Sequence, residues 1–80
     1  MKPVISGGKN GLYLSVYGIT KEDWGKKIQV KNVINKRNIV IDVPHTTNTH
    51  PQVSWVYFFS EKELNYLNTN NKKDLECIIF

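Results

Sequence analysis

Alternation of apolar and polar positions divides the chain into short strands, and the stretch from Val53 to Leu67 carries the strongest local signals. In an extended backbone, Val53, Trp55, Tyr57 and Phe59 point one way, and Ser54, Val56 and Phe58 point the other. Both faces are largely apolar, which predicts a strand in the middle of a small sheet, covered on both sides. Directly after it, Ser60 reads as a helix N-cap and Glu63 completes a capping box. Phe59 and Leu64 have the spacing of a hydrophobic staple, so a short helix is predicted from Glu61 to about Leu67.

The remaining segments are weaker versions of the same pattern. Val4 and Ile5 start a short strand, which Gly7, Gly8, Asn10 and Gly11 turn into a second one, Leu12 to Tyr17. There Leu12, Leu14 and Val16 face inward, with Tyr13, Ser15 and Tyr17 opposite. Thr20 to Asp23 repeats the capping-box pattern, and Gly25 ends the single turn it supports. Lys27 to Val33 alternates as a strand with Ile28 and Val30 inward. Asn35 to Asn38 is a polar turn, after which Ile39 to Val43 returns antiparallel. Pro44 to Gln52 has no period and contains prolines, so it is a loop. Leu75 to Phe80 is the terminal strand. With no internal repeat and no linker, residues 1–80 form a single domain. The expected fold is mainly β: a small antiparallel sheet of five or six strands curled into a barrel, with one short helix before the last strand. Closure is expected because it removes exposed edges.

Length limits what such a domain does. Eighty residues bury only about 60% of the unfolded surface, which leaves little room for a deep active site. The single cysteine excludes an intramolecular disulfide framework and a zinc site built on several thiolates. No apolar run spans a bilayer and no signal-peptide pattern opens the chain, so the expectation is a soluble, cytoplasmic protein without membrane partners. The net charge is +4, which excludes an acidic mimic of nucleic acid. Residues 1–42 hold eight Lys or Arg against three acids. Ten Lys, one Arg, nine Asn, eight Ile and no Ala are also what an A/T-rich coding sequence imposes, so part of the basicity is codon bias.

Three stretches together carry a resemblance. They are Glu22-Asp23-Trp24-Gly25-Lys26-Lys27-Ile28-Gln29-Val30, Ile39-Val40-Ile41-Asp42-Val43, and Trp55-Val56-Tyr57-Phe58-Phe59 followed by Ser60 to Leu64. Over residues 19 to 80 they resemble small SH3-like barrel proteins of bacteria and phages. The resemblance implies the fold but carries over no functional residue. SH3-like barrels bind peptides, nucleic acids and one another, and some toxins built on them cleave RNA.

Candidate chemistry is sparse. Asp42, His45 and His50 are the one cluster suggesting acid–base or metal work, and their spacing on a loop matches no metal signature. Solvated loop histidines are the simpler account, and a small RNase toxin using His45 and His50 around a phosphate, with Arg37 stabilising charge, is the catalytic one. Cys77 lacks a local His or cationic partner and reads as a small core hydrophobe. Gly7 to Gly11 lacks P-loop spacing and reads as a hairpin turn rather than a phosphate cradle. Lys21, Lys26, Lys27, Lys31, Lys36 and Arg37, with outward Tyr13 and Tyr17, would give nucleic acid both phosphate contacts and stacking rings. Lys27 and Lys31 would equally guard a strand edge.

Val56, Phe58 and Phe80, if nothing in the chain covers them, form an apolar patch for a protein partner or a second copy. The preferred expectation is therefore a non-catalytic interaction module needing no cofactor, an accessory protein of a phage or mobile element that modulates a protein partner. The first alternative is a basic nucleic-acid-binding barrel and the second a small RNase toxin.

Overall fold

The computed structural model describes residues 1–8, 11–47 and 53–80. It holds six strands: β1 (Lys2–Gly8), β2 (Gly11–Tyr17), β3 (Lys27–Asn32), β4 (Asn38–Asp42), β5 (Val53–Phe58) and β6 (Leu75–Ile79). One helix, α1 (Glu61–Leu67), follows β5, and single 3-10 turns sit at Lys21–Asp23 and Lys72–Asp74. All ladders are antiparallel, and they make two three-stranded sheets in the orders β1-β2-β5 and β4-β3-β6. The domain is mainly β, with the helix before the last strand as the capping signals predict.

Two expectations are corrected. The sheets do not close into one barrel: β1 lies against β6, but among the described residues no ladder joins the sheets. Nor is β5 a central strand. The β1–β2 hairpin fills one side of β2 and β5 docks on the other, after which the chain leaves into α1, so no strand follows to pair with the outer side of β5. The central strands are β2 and β3, and they carry the cleanest alternation. Leu12, Leu14 and Val16 from β2, and Ile28 and Val30 from β3, are buried and point into one core shared by both sheets. Ile19, Ile41, Val43, Phe59, Leu67 and Leu75 complete it. Full burial of one such side chain contributes about 1.5–3 kcal/mol.

Gly7 shows how tight the first hairpin is. Its φ is +116°, and a Cβ there would lie 2.2 Å from the Gly11 carbonyl oxygen. Gly8 pairs with Gly11 in the ladder, so these glycines serve strand pairing.

Polar side chains join the elements. At the start of α1, the Glu63 carboxylate accepts from the Ser60 amide (2.8 Å) with one oxygen and from the Tyr57 hydroxyl (2.8 Å) with the other. The capping box thereby also anchors the helix to β5, and the accepted proton raises the Tyr57 pKa. At the other end, Asn32 occupies an inward position of β3 and is only 3% exposed. Its Nδ2 donates to the Leu67 carbonyl (2.7 Å), and its Oδ1 accepts from the Ile34 amide (2.9 Å). Leu67 O is one of the orphan carbonyls of a helix end, and it also accepts from Asn35 Nδ2 (2.9 Å). Asn68 ends the helix in the left-handed conformation, its amide donating to Leu64 O.

The corner before β3 rests on buried Asp23, whose carboxylate accepts from the Thr20 amide (2.9 Å) and meets Lys26 Nζ (3.3 Å). The Thr20 bond lowers the Asp23 pKa; burial opposes this, and Lys26 adds to the lowering.

Two outcomes follow for stability. Asn32→Ala removes the side-chain bonds to the Leu67 carbonyl and to the Ile34 and Asn35 amides, and is expected to cost about 2–3 kcal/mol in urea unfolding. Asn35→Ala, at an exposed position, costs less. Asp23→Ala is expected to cost about 1 kcal/mol at neutral pH. Because the folded carboxyl binds its proton less readily than the unfolded one, this contribution is complete above the ordinary value of 3.8 and is lost as pH falls through the lower folded value. Unfolding curves of wild type and Asp23→Ala should therefore converge in acid and separate at pH 7.

Candidate interaction surface

Strand register determines which side chains share the outer face of the first sheet. Across β1, β2 and β5 the rows are Ser6–Tyr13–Phe58 and Val4–Ser15–Val56, followed by Lys2–Tyr17–Val53 beyond a bulge. The bulge leaves Ser54 opposite no residue of β2, and its hydroxyl accepts from the Ile19 amide (3.2 Å). Phe58 is 73% exposed. Its ring lies 5.4 Å from that of Tyr13, tilted by 44°, and Val56 stands next to it on the same strand face. Ser15 is buried although it lies on this outer face, enclosed among its register neighbours Val4 and Val56 and the flanking Tyr13 and Tyr17. The result is an aromatic and aliphatic face centred on Tyr13, Phe58 and Val56 of an antiparallel sheet.

Phe80 does not join that face. It follows β6 on the second sheet, where its amide and carbonyl pair with those of Lys27. Its row across the second sheet is therefore Asp42–Lys27–Phe80, and the exposed Ile78 precedes it on the same outer face, in the next row, Val40–Gln29–Ile78. Val56 and Phe58 therefore belong together, and Phe80 stands apart from them beside Ile78 on the second sheet.

The basic set is dispersed as well. Lys27 and Lys31 lie on the outer face of the second sheet, whereas Tyr13 and Tyr17 lie on the first. Lys26 meets Asp23, Lys27 meets Asp42, and Lys31 sits in register opposite Glu76. Lys36 Nζ donates to the Val33 carbonyl (2.9 Å). Arg37 Nη1 donates to the Tyr66 carbonyl (3.1 Å), with the guanidinium 5.5 Å from the centre of the Tyr66 ring. Lys21 is exposed on its 3-10 turn. Phosphate-binding and base-stacking groups are thus not assembled on one surface.

His45 stacks on Trp24, with ring centres 4.9 Å apart and planes 17° apart, while Trp24 Nε1 donates to Thr46 O (3.0 Å). Asp42 faces Lys27, and His50 lies outside the described residues. Among the described residues no three His, Cys, Asp or Glu gather as a metal site requires, no cavity opens, and no helix is long and apolar enough to cross a membrane. Cys77 is in register with Val30 and half-buried; burial, and then the Glu76 carboxylate, pushes its thiol up to about 11.

Compared with protein families, curated proteins and solved structures, the chain matches none. What it does must be argued from its own surface.

The thiol gives a direct check on the placement of β6. Thiolate is the reactive form, so at pH 8 Cys77 is expected to react with a disulfide reagent about a hundredfold more slowly than a free cysteine. Reaction at the free rate in the folded protein would show that β6 does not bury it.

Proposed function

We propose that this protein is a non-catalytic interaction module that engages a protein partner, a second copy of itself included, through the outer face of its first sheet. The observation that carries the proposal is Phe58, 73% exposed beside Tyr13 and Val56. Scattered exposed apolar residues are ordinary, but a contiguous patch on a sheet face is a site of contact. Leaving Phe58 outside the core forgoes on the order of 1–2 kcal/mol of burial, which a partner recovers on binding. An aromatic pair flanked by aliphatic side chains is also the composition of interface hot spots.

The resemblance to small SH3-like barrels belongs to the same proposal, in which the two open sheets correspond to the two halves of such a barrel. The proposed setting is the cytoplasm, because a single half-buried thiol suits a reducing compartment.

The test compares wild type with Phe58→Ser in capture from lysate, at low and high salt and with and without nuclease. Protein bands that survive salt and nuclease are expected with wild type. Phe58→Ser should weaken them by about 2 kcal/mol, roughly thirtyfold, with little change in melting temperature. Sedimentation over a range of concentrations separates self-association from a foreign partner. Equal capture by both proteins, or capture that washes off with salt and nuclease, sinks the proposal.

A further inference from the structure

The surplus positive charge of the chain is concentrated at one end of the molecule. That end is built from three segments far apart in sequence: the β3–β4 turn Val33–Arg37, the C-terminal end of α1, and the 3-10 turn Lys72–Asp74. The Val33 amide donates to Asp74 O (2.9 Å), Arg37 Nη1 donates to Tyr66 O, and the Asn32 and Asn35 side chains donate to Leu67 O, so the three segments are tied together. They bring Lys36, Arg37, Lys72 and Lys73 together with a single carboxylate, Asp74, which accepts from the Thr69 hydroxyl (2.9 Å). Four cations against one acid leave seven against six for the rest of the chain. Three of the four net positive charges therefore lie here.

Apolar surface is exposed at the same end. Ile34 is 72% exposed at the turn, with Tyr66 and Val33 also exposed. A turn needs polar residues for its backbone and gains nothing from an exposed isoleucine.

We propose that this end is a second interface, which takes an acidic protein segment bearing an apolar side chain. The cations steer and hold the acidic groups, and Ile34, Val33 and Tyr66 receive the apolar one. Nucleic acid fits less well. Base stacking requires free ring faces, whereas Ile34 and Val33 have none and one face of Tyr66 is taken by Arg37. This interface uses none of the residues of the aromatic sheet face and stands independently of it.

The experiment is a titration of the isotope-labelled full chain, followed by amide NMR at about 0.15 M salt, with three probes: polyglutamate, a random copolymer of glutamate and tyrosine, and oligo-dT. The copolymer is expected to shift the amides of Val33, Ile34, Lys36, Arg37, Tyr66, Lys72 and Lys73, and to bind about tenfold more tightly than polyglutamate. Ile34→Ser should abolish that advantage. Lys72→Glu with Lys73→Glu, both at exposed turn positions, should weaken both acidic polymers, and Phe58→Ser should leave all three probes unchanged. The inference is overturned if oligo-dT binds as tightly as the copolymer, if polyglutamate equals the copolymer, or if the shifts map elsewhere.

Discussion

Everything in this domain depends on one thin layer of side chains held between two small sheets. With eighty residues there is material for a single core, and each sheet offers it one face. Leu14, Val16, Ile28 and Val30 lie at its centre because β2 and β3 are the strands paired on both sides. Among the described residues, the same constraint leaves both outer faces without a covering layer. Apolar residues of the second parity, such as Val56, Phe58, Val40 and Ile78, have no interior left to occupy and stand in water. The surfaces available for function are thus a direct consequence of how little the core can enclose.

Polar joints make the two sheets and the helix one object. Glu63 serves the helix start and the Tyr57 hydroxyl at once, and Asn32 reaches from inside β3 to the helix end. Both position α1 by satisfying groups that a short helix cannot satisfy alone. The surface ion pairs work differently. Lys26 with Asp23 and Lys27 with Asp42 are each worth about 1 kcal/mol or less to the fold, but they cancel charge locally. Three of the four net positive charges lie around the β3–β4 turn. A polyanion approaching the molecule meets that end, although the sequence places most of its lysines elsewhere.

Two of the candidate groupings dissolve for a common reason. The aromatic rings and the lysines that would serve nucleic acid fall on different sheets, and Phe80 parts from Phe58. Both groupings assumed one continuous sheet, in which every outward residue shares one surface. Two separate sheets divide that surface, and each part acquires neighbours, such as Tyr13 beside Phe58, that chain order does not bring near.

Local physics was legible in the residues themselves. Period-two alternation marks β2 and β3, two capping boxes mark the corner at Thr20 and the start of α1, and glycines mark the first hairpin. These signals act over a few residues, so they settle the strands and the helix, their order, and the buried side of β2, β3 and β4. Short turns also foretell the β1–β2 and β3–β4 pairs, but the docking of β5 on β2 and of β6 on β3 comes from the tertiary fold. The two apolar faces of β5 suit a central strand, yet β5 ends at an edge because β2 had a single side free and the chain then turned into a helix. Asn32 could be placed inward by parity, but its partner, the Leu67 carbonyl, lies thirty-five residues away. Contacts of that range depend on how the sheets meet across the core, and a pattern that repeats every two residues holds no record of it.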